Sequence, residues 1–378
     1  MKLASRGSVR ELEKTLREVA RSAGSYAVEF PSRITHRAAE GDARLIQLLT
    51  TWAQKQKNFV TSFPSVQKVQ QLEDLILEPY ALVALLLSDV IRIGKMNSNV
   101  TTEALELAIQ RLEEQNSESF LVQARRRRST DSIVCADHLG MGYPRNVYDV
   151  VRGEAELKPL SEFARLAEKL LRSDSRTSRS PNLQRLVTAT ESLLYEAFRN
   201  THDHARQDLD ASPLKKSVRG FFASHNIPDA NDLLQAVSEN ETLAGFFQSS
   251  IGDDRDSGFS YLSISTFDSG IGFAQSWTKK PLEELSLAQE SQAVLSCFEK
   301  HSSSGRSSDG KGLVRITDYL SEHQGFLSLR TGRTLLSIDY ATTGKQIVPT
   351  IKTEIDDKYP LEKISGTALT LILPTGSR

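Results

Sequence analysis

Cysteine is scarce in this sequence, and no long apolar run is present. The only cysteines among the 378 residues are Cys135 and Cys297, which are far apart and lack a CxxC spacing. This placement argues against a zinc ribbon, a disulfide scaffold or a redox pair. The longest apolar stretch, residues 81–93, is interrupted by Asp89 and is shorter than the ~20 residues that cross a bilayer. We therefore expect a cytoplasmic protein without a membrane segment.

An excess of one charge is also missing. Lys and Arg total 47, and Asp and Glu total 48, so no global field attracts nucleic acid or an anionic membrane. The four consecutive arginines Arg125–Arg128 form too short a run to indicate nucleic-acid binding. A solvated strand edge or turn is favoured for them over a contact with phosphate or an acidic partner.

The chain length favours two domains, each large enough to bury its own core. Within residues 1–155, strand-like segments at 25–30 and 58–63 alternate with helical patterns, which predicts a small α/β N-terminal domain. Helical periodicity is present over residues 1–22, 38–56, 66–93 and 102–115. The order of these elements resembles STAS-like modules, and this resemblance implies that the domain docks a protein partner.

Residues 156–378 predict a second domain with longer helices. Helices are expected at 160–172, 182–205 and 312–323, and strands at 259–267, 325–330, 333–340 and 366–373. A polar and helical insert is expected at 207–258, and it offers a second surface for a partner.

The segment ESLLYEAFRNTHDHA, residues 191–205, is expected to be helical. Glu196 and Asn200 are four residues apart, so both side chains lie on one helical face. A carboxylate and a carboxamide arranged in this way have the oxygen atoms to position a water molecule and a magnesium ion. Taken alone, such a polar row is more typical of a solvated helix face.

The segment FSYLSISTFDSGIGF, residues 259–273, predicts a strand that ends at an inward-facing Asp268. A carboxylate there can accept the exocyclic amine of adenine, and Gly270 and Gly272 allow the backbone to approach a flat base. A plain turn is the alternative. Thr367 opens a later apolar strand and has a hydroxyl to offer beside the base, although a β-branched strand residue is common there.

The segment GRSSDGKGLVRITDYL, residues 305–320, places Gly310 and Gly312 before a helix that starts at Leu313. Free N–H groups at a helix N-terminus form an anion site, which the helix dipole strengthens. Lys311 adds a positive charge for phosphates. Glycine- and serine-rich stretches are also typical of flexible loops.

These four segments follow one another in the order of the nucleotide-binding boxes of the GHKL, or Bergerat-fold, ATPase superfamily. The sequence from about residue 160 to 378 resembles this superfamily, which includes Hsp90-like chaperones, type II topoisomerase and mismatch-repair ATPases, histidine kinases and anti-sigma-factor serine kinases. The resemblance implies an α/β sandwich with helices on one face of a mixed sheet. It also implies ATP and Mg²⁺ as cofactors.

The same resemblance implies a role for each matching residue. Glu196 corresponds to the general base, Asn200 to the magnesium ligand and Asp268 to the acceptor of the adenine amine. The remaining positions divide between the base pocket and the lid over the phosphates: Gly270, Gly272 and Thr367 in the pocket, and Gly310, Gly312 and Leu313 at the end of the lid.

Three functions stay open within this class. An Mg-dependent ATPase or conformational switch coupled to a partner protein or a second copy is preferred, because Glu196 is suited to activating water. The alternatives are a serine/threonine kinase of the anti-sigma-factor type and a nucleotide-sensing scaffold without turnover. Classical histidine autophosphorylation is not expected, because no histidine lies on a predicted dimerising helical hairpin.

Overall fold

The computed structural model describes residues 1–21, 27–36, 39–117, 130–151, 154–172, 183–251, 259–299, 312–341, 349–355 and 359–375. Arg125–Arg128, Gly310 and Lys311 lie outside these ranges. Among the helices that the ranges contain, none has both the length and the apolar character needed to span a bilayer.

The N-terminal domain, whose described elements lie between residues 1 and 117, is built on a small sheet. Strands β2, β4 and β5 are parallel neighbours, and β6 is antiparallel to β5. Its strands are β1 Arg6–Gly7, β2 Val28–Glu29, β3 Thr35–His36, β4 Val60–Phe63, β5 Val90–Ile93 and β6 Ser98–Asn99. Its helices are α1 Val9–Arg21, α2 Gly41–Lys55, α3 Leu72–Leu75, α4 Pro79–Leu87 and α5 Thr101–Glu114.

One predicted helix is wrong in part. The periodicity of residues 66–93 predicts helix throughout, but α4 ends at Leu87 and β5 follows at Val90–Ile93. Helix α4 is apolar and buried on all sides, so its pattern carries no polar face that would mark its end. The β-branched residues of β5 pair with β4 instead, as such side chains favour.

A seven-stranded sheet forms the centre of the molecule, in the order β14-β13-β12-β17-β11-β10-β7. The strands of this part of the chain are β7 Thr130–Ala136, β8 Tyr148–Val151, β9 Glu154–Leu157, β10 Val218–Asn226, β11 Tyr261–Asp268, β12 Phe326–Thr331, β13 Thr334–Asp339, β14 Thr350–Lys352, β15 Glu354–Ile355, β16 Tyr359–Pro360 and β17 Thr367–Pro374. Its helices are α6 Leu160–Arg172, α7 Leu183–His204, α8 Ala230–Val237, α9 Glu241–Ile251, α10 Phe273–Thr278, α11 Leu287–Ser296 and α12 Gly312–Glu322.

The α/β class is confirmed, but the large sheet differs from the mixed sheet that was expected. Every strand pair described within it is antiparallel. Strands β12 and β13 form a hairpin, and the connection from β10 to β11 starts and ends at the same end of these two neighbouring strands. Short hairpins and returning connections join antiparallel neighbours, whereas parallel pairs require a crossover.

Two stretches contribute more to this sheet than the sequence suggested. Strand β7 lies before the expected domain boundary at residue 155, yet it forms one edge of the sheet by pairing with β10. Strand β10 lies inside the expected insert at 207–258, yet it occupies an internal position between β11 and β7. Both strands have apolar side chains on each face, because each face of the sheet is covered.

The two faces of the sheet bury different cores. On one face, Phe221, Ile264 and Leu371 pack with apolar residues of α6, α7 and α12. On the other face, Phe222 and Phe267 join the core of the N-terminal domain. Helices α8 and α9 cover part of this second face. The sheet is therefore covered on both sides rather than on the single side that was expected.

A buried ion pair and a neighbouring hydrogen bond join the N-terminal domain to the sheet. Arg330 on β12 is fully buried and donates to both carboxylate oxygens of Glu13 on α1, at 2.7 and 3.1 Å. Next to this pair, Arg44 on α2 contacts Glu40 at 3.3 Å, and Ser328 donates to the same Glu40 carboxylate at 2.5 Å. The nearby Arg330 guanidinium opposes the effect of burial and holds the pKa of Glu13 below its usual value.

Candidate nucleotide site

Helix α7 carries the first two candidate residues in the arrangement that their spacing predicts. Its apolar residues Leu193, Leu194, Ala197 and Phe198 are buried, and the helix packs on β10, β11, α6 and α12. This packing fixes the rotation of the helix about its axis. As a result, the Glu196 carboxylate is buried and lies toward the start of α12.

Gly312, the first residue of α12, lies directly beside the side chains of Glu196 and Asn200. A Cβ at Gly312 would stand 2.8 Å from Glu196 Oε2 and 3.6 Å from Asn200 Oδ1. The first distance is too short for a side chain at this position without movement of the carboxylate. Two segments more than 100 residues apart in sequence thus meet here, and a helix N-terminus faces a carboxylate and an amide oxygen.

Arg315 forms an ion pair with Glu196, which the sequence analysis missed. Its Nη1 atom donates to Glu196 Oε1. The arginine side chain is 53% exposed, whereas the glutamate side chain is 6% exposed. Arg315 is one helical turn after Gly312, and this i, i+3 spacing is the sequence signal that could have revealed it. The pair combines a buried anion with a cation that stays accessible to solvent.

The Asn200 side chain has an unused hydrogen-bond donor. Its Nδ2 atom is buried and has no hydrogen-bond partner among the residues that the structure describes. A buried amide donor left without an acceptor costs about 1–3 kcal/mol, so an acceptor supplied by a ligand would stabilise the site. Its Oδ1 atom faces the position of Gly312.

Asp268 ends β11 in a buried position near the C-terminal end of α7. Its carboxylate accepts hydrogen bonds from the backbone N–H of Gly270, at 2.9 Å, and from the N–H and hydroxyl of Thr367. Burial raises the pKa of Asp268 to about 7, against the lowering effect of these donors. A carboxyl group with this pKa is partly ionised near neutral pH. Its oxygens have further lone pairs that can accept a hydrogen bond from a ligand.

The loop after β11, which contains Gly270, is held close to the loop before β17, which contains Gly366. The N–H of Gly366 donates to the carbonyl of Gly270 at 2.6 Å. A Cβ on Gly366, whose φ is +67°, would stand 1.8 Å from the carbonyl oxygen of Asp268, so only glycine fits. Gly270 in turn lies against the backbone of Ala205, just after α7, where a Cβ would meet Cα at 2.7 Å. At ~1.5 Å rise per residue, Asn200 lies roughly 7.5 Å from this contact along the axis of α7.

The remaining sequence candidates occupy more peripheral positions. Gly272 precedes α10 with a φ of +81°, and a Cβ there would stand 2.7 Å from Thr331 Oγ1. Leu313 is a residue of α12, and its side chain is buried in the core that α12 shares with α7. Gly310 and Lys311 lie outside the described residues. The structure thus brings Glu196 and Asn200, in the C-terminal half of α7, together with Gly312, and it joins Asp268, Gly270 and Thr367 just beyond the C-terminal end of the same helix.

A buried arginine next to Asp268 was also missed. Arg219 pairs with Asp268 in the register of β10 and β11. Its guanidinium donates to both oxygens of Asp137 at 3.1 Å and to the Tyr148 hydroxyl at 2.6 Å. The Tyr148 hydroxyl lies 3.1 Å from His202 Nδ1, and burial lowers the pKa of His202 to about 4. The signal available in the sequence was an arginine among the mostly apolar residues 218–223.

Within the described residues, no cluster of three or more His, Cys, Asp or Glu side chains is arranged to hold a metal ion. A metal held beside Asn200 would therefore depend on the Asn200 oxygen and on oxygens supplied by a ligand. Comparison of the chain with protein-family models, with curated proteins and with solved structures found no match.

Proposed function

We propose that this chain binds an adenine nucleotide together with magnesium and acts as an Mg-dependent ATPase or conformational switch coupled to a partner protein. The observation that carries the proposal is the meeting of Glu196, Asn200 and Gly312 at the start of α12. A general-base candidate, an amide oxygen and a helix N-terminus then border one small volume. A triphosphate with a bound cation fits this combination of groups.

The adenine end of the proposed site is the loop that follows β11. The Asp268 carboxylate is fixed by the N–H groups of Gly270 and Thr367, and it retains lone pairs for the exocyclic amine of adenine. Gly270 and Gly366 leave no side chain between this carboxylate and the neighbouring backbone. A flat base is the kind of ligand that such a bare backbone accommodates.

The phosphate end is the volume between α7 and α12. The buried Nδ2 of Asn200 lacks an acceptor within the described chain, and a phosphate oxygen would supply one. Asn200 Oδ1 is a hard oxygen ligand of the type that Mg²⁺ takes, usually with water and substrate phosphates as its other ligands. When bound, magnesium supplies positive charge that offsets the charge of the phosphates.

Arg315 gives the proposed site a cation that can change partners. Without nucleotide it neutralises Glu196. Because its side chain is half exposed, it can turn toward a phosphate at small cost. That movement would leave the Glu196 carboxylate free to accept a proton from an attacking water molecule.

Calorimetry with adenosine and with MgATP tests the proposal directly. Adenosine affinity is expected to rise about tenfold between pH 6 and pH 8, because Asp268, with a pKa of about 7, changes from mostly protonated to mostly ionised. Nearby His202 stays neutral over this range, since its pKa is about 4, and Arg219 stays charged. Well-folded protein that shows no binding heat with either ligand would contradict the proposal.

Replacement of Arg315 separates the phosphate end from the adenine end. Arg315→Gln is expected to weaken MgATP binding about tenfold, as loss of a charged hydrogen bond does, and to leave adenosine binding unchanged. Isothermal titration gives both affinities. Arg185→Gln is the matched control, because Arg185 also joins α7 to α12 through an exposed pair with Glu322 at 3.0 Å. Equal effects of the two substitutions would argue against a phosphate contact.

A further inference from the structure

Helix α2 of the N-terminal domain contacts the loop after β11 and the loop before β17, which both lie against Asp268. Gln54 Nε2 donates to the carbonyl of Ser269 at 2.7 Å, and the hydroxyl of Thr51 accepts the N–H of Ser365 at 3.0 Å. Gln47 Nε2 donates to the carbonyl of Arg330 at 2.8 Å and makes a longer contact, 3.5 Å, with that of Gly366. Residues 47, 51 and 54 share one helical face, since they follow the i, i+4, i+7 spacing.

The two glutamines act on particular peptide groups. The Ser269 carbonyl belongs to the same peptide as the Gly270 N–H, and that N–H donates to Asp268 Oδ1. The Gly366 carbonyl likewise belongs to the same peptide as the Thr367 N–H, which also donates to Asp268. Because a peptide group is planar, a hydrogen bond that fixes its oxygen also fixes the direction of its N–H.

From this geometry we infer that Gln54 of the N-terminal domain is a positioning residue for the adenine-binding carboxylate of Asp268, with Gln47 and Thr51 supporting the neighbouring loop. The inference rests on the proposed function, because it assigns Asp268 to adenine. Gln54 touches no ligand itself. It acts through the Ser269–Gly270 peptide, whose N–H becomes a stronger donor when the carbonyl is itself hydrogen-bonded.

This arrangement makes the N-terminal domain a part of the adenine site. A ligand or partner that shifts α2 would withdraw Gln54 from Ser269 and loosen the support of Asp268. In the reverse direction, an adenine bound to Asp268 would favour the position of α2 seen in the structure. Coupling between two sites is reciprocal in this way whenever both bias the same structural element.

The test compares ATP with inosine triphosphate, in which an oxygen replaces the exocyclic amine of the base. Gln54→Glu keeps the size of the side chain but removes the donor to Ser269. We expect ATP affinity to fall about tenfold, the cost of a lost hydrogen bond plus an opposed carbonyl, while the affinity for inosine triphosphate stays the same. In the nucleotide-free protein, the amide resonance of Gly270 should shift in this variant. The Gln54 side chain lies at the surface of the fold, so the variant should still fold.

Gln110→Glu is the matched control, because Gln110 is an exposed glutamine on α5 of the same domain. It should change neither affinity nor the Gly270 resonance. If wild-type protein prefers ATP over inosine triphosphate and Gln54→Glu keeps the same preference, the inference is overturned while the proposed function stands. If wild-type protein binds neither nucleotide, the proposed function falls, and the inference falls with it.

Discussion

Glu196→Gln is expected to slow ATP hydrolysis by about 10²–10⁴-fold, the usual contribution of a general base, with little change in MgATP affinity. Glutamine retains an oxygen that can accept from Arg315 but cannot take a proton from water. Glu196 is the carboxylate of α7 that is buried beside Gly312, which makes it the candidate general base. Phosphate release by purified protein under single-turnover conditions measures the rate.

Glu191→Gln is the control for this experiment, because Glu191 lies on the same helix five residues earlier, on a different face. A Glu196→Gln variant that hydrolyses ATP at the wild-type rate would remove Glu196 from the chemistry. If wild-type protein instead transfers labelled phosphate to a serine or threonine of a partner, the kinase alternative is supported. Tight MgATP binding with neither activity would support the sensor alternative.

Arg330→Leu is expected to lower the free energy of unfolding by about 3–5 kcal/mol, because it leaves the Glu13 carboxylate buried without its main partner. Arg330 also donates to the carbonyls of Gly332 and Glu362, at 2.6 and 2.8 Å, and these lose a donor as well. Urea denaturation followed by circular dichroism measures the change. Because the pair joins α1 to the sheet, the loss should destabilise the docking of the N-terminal domain.

Two further variants distinguish a buried unpaired charge from simple loss of contacts. The double variant Glu13→Leu with Arg330→Leu should be less destabilised than Arg330→Leu alone, since no carboxylate is left without a partner. Arg165→Leu removes an exposed arginine from a surface pair with Glu162, at 3.2 Å, and should cost under about 1 kcal/mol. Equal losses for Arg330→Leu and Arg165→Leu would show that burial of the first pair has no energetic consequence.

Periodicity was sufficient to predict the amphipathic helices that carry the candidate site. Helix α7 spans Leu183–His204, where 182–205 was predicted, and α12 spans Gly312–Glu322, where 312–323 was predicted. Helical spacing alone predicted that Glu196 and Asn200 lie on one face of a helix. Strand alternation alone predicted that Asp268 points toward the core. These positions depend on residues close in sequence, which is why local patterns were enough.

The contacts that complete the candidate site depend on distant residues and were not predictable in this way. Arg315 reaches Glu196 across 119 residues, and Gln54 reaches Ser269 across 215. Strand β10 escaped notice because Phe221 and Phe222 are buried on opposite faces of the sheet, so the strand lacks a regular alternation of apolar and polar residues. A strand that is covered on both faces has no such alternation, and a buried helix segment lacks it as well.

The place of β7 at the edge of the sheet has a practical consequence for dividing the chain. A fragment that begins at residue 156 would retain α7, α12 and Asp268, but it would lose the strand that covers β10. The N–H and C=O groups of β10 would then face solvent beside two phenylalanines, and unprotected edges of this kind pair with other copies and aggregate. The fragment would also lose the N-terminal domain that buries Phe222 and Phe267 on the second face of the sheet. Insolubility of such a fragment would therefore reflect a missing edge strand and an uncovered sheet face, and it would carry no information about the nucleotide site.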